Sequence, residues 1–198
     1  MKKNLTMKKL LSLPLIALAL MFNSCGGGEA KEGNGGDSTE VDNSNGEVDL
    51  TGMMEHDLTS AGLKATLMVP EETGPSGAPF PVVDSVIIDG ISWQVSVGGK
   101  YNIIVEEGDP AQKGKYVANE KKRLTETGIW DLKYIVDKPD LIMYEANLKG
   151  GAGSKPFYHV FGVAKIEGKD FTIKSNEAGE FNKGQAEKMM RTIQALQK

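Results

Sequence analysis

Few side chains in this 198-residue chain have the chemistry of a reactive centre: one cysteine, two histidines and a scatter of carboxylates. Cys25 is the only thiol, so it has no partner for an internal disulfide, and it stands at the end of an apolar run instead of within a mixed, globular stretch. Nucleophilic catalysis needs a nucleophile beside a base, most often His. His56, in Met54-Glu55-His56-Asp57, offers metal-ligand types at close spacing but reads as part of a solvated polar stretch near the start of the body. His159 falls on the Phe157/Phe161/Val163 side of a strand pattern and reads as a hydrogen-bonded core histidine. No HExxH, CxxC or paired-His spacing is present, so neither a metal nor a cofactor is expected.

The carboxylates carry the remaining chemistry. Glu106, Glu107 and Asp109 gather before a predicted helix start, where the helix dipole favours negative charge, and they lack the twelve-residue ligand pattern of an EF-hand. Because carboxylates can act without His, a hydrolase built on Asp84, Asp89, Glu106 or Asp109 is the alternative to a noncatalytic reading. Gly150-Gly151-Ala152-Gly153-Ser154-Lys155 lacks the spacing of a phosphate loop and leads through Pro156 into a strand, so it reads as a hairpin loop. The Pro- and Gly-rich segment from Glu71 to Pro81 reads as an exposed irregular loop of the kind that carries recognition, with Phe80 as its candidate ligand-binding contact.

The elements that must position these residues follow from how charge and hydropathy are distributed. Residues 1–24 carry four Lys and no acid, residues 26–50 carry seven acids against one Lys, and residues 51–198 are close to neutral. A near-neutral body without a dense basic stripe is a poor partner for phosphate backbones, so nucleic-acid binding is not expected. Lys2, Lys3, Lys8 and Lys9 precede an apolar run from Leu10 to Phe22, and those 13 residues are too few to span a bilayer, which needs about 20 helical residues. That pattern is a signal segment.

With Met21-Phe22-Asn23-Ser24 before Cys25 and three glycines after it, the stretch resembles a bacterial lipoprotein signal peptide of the signal peptidase II type. Phe22 replaces the Leu common in that lipobox, and Ser24 agrees with its small residue. The resemblance implies that residues 1–24 are removed, that Cys25 is acylated, and that the mature protein is a membrane-anchored envelope lipoprotein. Each buried CH₂ contributes about 0.8 kcal/mol, so two or three acyl chains on one Cys hold stably where one would not. In the sorting rule of that family an Asp after the acylated Cys retains the protein at the inner membrane. Position 26 is Gly, which implies the outer membrane, on its periplasmic or its surface face. Residues 25–50, with seven glycines and seven acids, cannot bury enough apolar surface to offset ordering entropy and read as a solvated tether.

Residues 51–198 read as one globular domain. Leu63, Ala65, Leu67 and Val69 alternate with polar positions, as do Ile91, Trp93, Val95 and Val97. Asp89-Gly90 is a tight-turn signal joining Val83–Ile88 to Ile91–Val97 as a hairpin. Asp109-Pro110 opens a predicted helix that runs to about Leu124. Strands are then expected over 132–137, 141–148, 157–166 and 171–174; the third is apolar on both sides, as a strand covered by two layers must be. Asn182 and Gln185 form a capping-box pattern, and Ala186, Met189, Met190, Ile193 and Leu196 recur at helical spacing. The fold class expected is α+β: an antiparallel sheet sandwich with helices, among them a C-terminal amphipathic helix.

The order of elements, with Pro139-Asp140-Leu141-Ile142-Met143-Tyr144, Phe157-Tyr158-His159-Val160 and the 186–193 segment, is similar to the PsbP/Mog1 type of α/β sandwich. That resemblance implies protein binding more than catalysis. The combined expectation is a noncatalytic binding module, anchored to a membrane by lipid, whose partner is another envelope protein or a small ligand, with the carboxylate-dependent envelope hydrolase as the alternative.

Overall fold

The computed structural model describes residues 47–72, 82–84, 92–151 and 155–198, which belong to one compact unit, Asn45–Lys198. Cys25, the greater part of the proposed tether, Phe80 and Asp89 lie outside the described residues. Residues 47–50 lead into the body and touch it through Asp49, whose Oδ2 lies 3.6 Å from Arg191 Nη1.

The first two strands, β1 (Met53–Asp57) and β2 (Thr66–Pro70), form a separate antiparallel hairpin, from Met53 opposite Pro70 to Asp57 opposite Thr66. β1 corrects the expectation of a solvated stretch. Its alternation is short, with Met54 and His56 half-buried and Glu55 and Asp57 exposed, and it folds as a strand because β2 supplies the pairing edge. Asp57 Oδ1 accepts from Thr59 N at 2.9 Å and from Thr59 Oγ1 at 2.6 Å, which closes the turn that follows.

The main sheet comprises β3 (Val82–Asp84), β4 (Ser92–Val97), β5 (Tyr101–Glu107), β6 (Trp130–Asp137), β7 (Leu141–Leu148), β8 (Phe157–Ile166) and β9 (Lys169–Ser175). Every pairing is antiparallel, in the order β3-β4-β5-β9-β8-β7-β6. The chain leaves the sheet after β5, crosses to the far edge through α1 (Tyr116–Glu126), and returns as a four-strand meander that pairs β9 with β5. It closes with α2 (Lys183–Leu196).

The two helices cover opposite faces. On one face Met189, Met190 and Ile193 of α2 join Leu67 and Val69 of the hairpin over Val95, Ile103, Met143, Val160 and Ile173, all buried. On the other, Tyr116, Val117 and Leu124 lie against Ile142, Tyr144, Ala146 and Phe161. α1 is short, so it covers β6, β7 and β8 and leaves Gln94, Asn102, Glu106, Thr172 and Lys174 of β4, β5 and β9 as a polar face. This explains why β8 reads apolar on both sides and β4 alternates. The α+β architecture, the strands of the meander and the C-terminal helix agree with the sequence reading.

The mid-chain helix differs. Asp109 does act as a cap, with Oδ1 accepting from Ala111 N at 2.9 Å, but the element it caps is a 3₁₀ turn, Pro110–Gln112. Gly114 then takes φ +74, a conformation open to glycine and costly for other residues, and the α-helix proper starts only at Tyr116. In β6 a bulge between Tyr134 and Val136 places one extra residue opposite β7. Trp130, Leu132 and Tyr134 therefore face the α1 layer while Val136 faces the α2 layer.

α2 is anchored by chemistry at both levels. Asn182 Oδ1 accepts from Gln185 N at 3.0 Å and Gln185 Oε1 accepts from Asn182 N at 2.9 Å, completing the expected capping box. Gly162 lets the helix approach β8 closely, because a Cβ at that position would lie 2.6 Å from Ile193 Cγ2 and 3.0 Å from Leu141 Cδ1.

Candidate functional site

Where the end of α1 meets the meander, a half-open cavity of about 250 Å³ remains between the helix layer and the turn that joins β9 to α2. The arrangement of elements dictates its walls. Tyr144 and Ala146 alternate along β7, Phe157 and His159 along β8, and Trp130 opens β6; the period of two turns all of them toward the α1 layer. α1 ends at Glu126, so Leu124 is its last residue to cover this face, and Glu177, Ala178, Gly179 and Glu180 complete the rim.

The aromatic groups hold one another in place. Trp130 and Phe157 meet edge to face with centroids 6.3 Å apart, Tyr144 and His159 lie tilted at 5.7 Å, and His159 meets Phe181 edge to face at 5.9 Å. The rim is fastened to the sheet by Tyr158 N–H donating to Phe181 O at 2.9 Å and Asn176 N–H donating to Asn102 O at 3.0 Å. A Cβ at Gly179 would overlap the Phe181 ring, so the rim turn lies directly on that ring.

Electrostatics divides the site. Arg123 binds Glu120 through two parallel bonds, Nη2 to Oε1 at 2.6 Å and Nε to Oε2 at 2.9 Å, and its Nη2 also reaches Glu177 across the rim. Hydrogen bonding to Glu120 is the main cause that holds the guanidinium pKa above its ordinary value. Glu180 is exposed and has no ion-pair partner among the described residues. His159 is 7% exposed, and burial lowers its pKa, opposed by the negative charge of Glu177. Its Nδ1 lies 3.0 Å from Ser175 Oγ. Burial likewise raises the pKa of Tyr144.

A serine beside a histidine is the geometry of an activated nucleophile. Here Ser175 is 1% exposed and its Oγ accepts the Val160 N–H at 3.1 Å, so the hydroxyl is enclosed and serves to orient the imidazole. The core-histidine reading of His159 describes its burial and its hydrogen bond; the cavity beside it had no signal in the sequence.

The other candidates do not converge. His56 lies on β1 opposite Leu67, half-buried, with Nε2 enclosed and without a hydrogen-bond partner; burial lowers its pKa. Glu55 and Asp57 alternate to the other side of the strand, so the three cannot share one ion. Among the described residues no group of His, Cys, Asp and Glu is placed to hold a metal. Glu106 pairs with Lys174 at 3.2 Å, Glu107 with Lys169 at 2.8 Å, and Asp109 caps its turn. Asp84 ends β3 opposite Gln94. Neither Glu106 nor Asp109 is among the residues lining the cavity.

Trp130, Ser175, Glu177 and Glu180 were not legible as site residues. The only trace was local: Asn176-Glu177-Ala178-Gly179-Glu180 is a polar turn between a strand and a capped helix. Compared with known proteins, the chain matches no family model, no curated protein and no solved structure. No helix among the described residues is long and apolar enough to cross a membrane.

Proposed function

We propose that this chain is a lipid-anchored envelope protein whose sandwich domain is a noncatalytic binding module, with the cavity between α1, the meander and the 176–180 rim as its binding site. The observation that carries the binding part is the composition of that cavity: aromatic walls held by mutual ring contacts, with a few polar groups at the floor and rim. Ligand sites are concave and mostly apolar, with a small number of placed polar groups. The anchoring part is supported by the resemblance of residues 1–28 to a lipoprotein signal, with Cys25 as the acylated residue. The element order on which the PsbP/Mog1 resemblance rests supports binding over turnover.

Mass spectrometry of the mature N-terminus tests the anchor. A diacylated or triacylated Cys25 is expected, and Cys25→Ser should abolish lipid labelling; an unmodified N-terminus downstream of Cys25 would refute it. For the module, a screen of small aromatic fragments against the full chain should produce saturable changes at Trp130. Turnover in hydrolase assays, lost on substitution of a cavity residue, would replace the binding reading with an enzymatic one.

A further inference from the structure

We infer that the cavity receives a small organic cation, its ring or alkyl body among Trp130, Tyr144 and Phe157 and its positive group toward Glu180. The inference rests on the reading of this cavity as a binding site and names the class of ligand. Volume sets the size. An apolar cavity of about 150 Å³ holds benzene, and drug-sized sites begin near 300 Å³. The 250 Å³ available here therefore suits one ring with a compact head group.

Sign follows from the lining. The formal charges on the residues that line the cavity are those of Glu177 and Glu180. The nearest guanidinium, Arg123, is shared between Glu120 and Glu177, so two carboxylates already divide one positive charge. Glu180 is left to a ligand. The aromatic rings of Trp130, Tyr144 and Phe157 add attraction for a cation that reaches a ring face and none for an anion there, because that face is negative.

A second, independent observation lies at the floor. His159 is more than nine-tenths buried and lines the cavity, and its Nε2 has no hydrogen-bond partner among the described residues. Ser175 Oγ is 3.0 Å from His159 Nδ1 and 3.5 Å from Val160 O, so the hydroxyl proton is best placed on Nδ1. With its proton on Nε2 and its pKa lowered by burial, the imidazole is neutral and sets no positive charge in the cavity against a cation.

The test is a titration of the full chain with benzyltrimethylammonium, benzyl alcohol and benzoate, followed at the indole N–H resonance of Trp130. That signal is separable from Trp93, whose Nε1 donates to Ala61 O at 2.8 Å in the core. Saturable shifts with the ammonium, at least tenfold tighter than with the alcohol and absent with benzoate, are expected. Raising salt from about 50 mM to about 500 mM should weaken the ammonium alone. Glu180→Gln, at an exposed position where folding is not at stake, should weaken the ammonium by at least threefold and leave the alcohol unchanged. Equal binding of alcohol and ammonium, or an unaffected Glu180→Gln, would overturn the cationic class while leaving the cavity as a binding site. No shift with any of the three probes would overturn both readings.

Discussion

His159 Nδ1 and Ser175 Oγ meet 3.0 Å apart, and the same oxygen accepts the Val160 N–H at 3.1 Å, so one buried hydroxyl locks a buried imidazole to the neighbouring strand. Burial depresses the His159 pKa below its ordinary 6.5, and burial does the same to His56. Both are the depressed-pKa case: the unfolded chain binds the proton more readily. Their contribution to stability is complete above pH 6.5 and is lost as pH falls through the folded-state values. Denaturant unfolding at pH 7.5 and pH 5 should therefore show lower stability at the acid end. His159→Gln and His56→Gln should each flatten that dependence, and a pH-independent wild type would contradict it.

Gly162→Ala should destabilise the domain by about 1–3 kcal/mol, because the new methyl meets Ile193, Leu141 and the Asp140 carbonyl within 3.2 Å. Gly99→Ala, where nothing lies within 4 Å, should change stability by less than about 0.5 kcal/mol. Equal effects in chemical denaturation would mean that α2 does not sit as close to β8 as described.

Thr192 joins three elements. Its Oγ1 donates to Met68 O at 2.5 Å and lies 2.7 Å from Tyr101 Oη, linking α2 to β2 and β5 in a buried setting. Thr192→Val keeps the shape and leaves both partners unsatisfied, at an expected cost of about 1–3 kcal/mol. Tyr101→Phe in the Thr192→Val background should cost less than Tyr101→Phe alone, since the shared bond is already gone. Additive losses in that cycle would show the three groups to be independent.

Met190→Ala or Ile193→Ala should lower stability by about 2–5 kcal/mol, as both side chains are buried between α2 and the sheet. An unchanged melting temperature for either would place the wrong face of α2 against the sheet.

Much of the fold was legible because it rests on local rules. The capping box at Asn182, the helical spacing of Met189, Met190 and Ile193, and the doubly apolar pattern of β8 depend on neighbours within a few residues and appear as observed. β1 was missed because a strand of five residues takes its definition from a partner, here β2. The mid-chain helix is shorter than its sequence pattern because the cap at Asp109 is genuine while the break at Gly114 depends on a positive φ that only the folded path demands.

The site itself belongs to the tertiary structure. The sequence alone determined the α+β class and the apolar faces of β8 and α2, since periodicity and capping are properties of contiguous residues. It could not place Trp130 beside Phe157, or Ser175 against His159, because those contacts depend on the registers in which β6, β7, β8 and β9 pair. A cavity is the space left where a short helix stops covering a long sheet, and its existence depends on the lengths and docking of elements far apart in the chain.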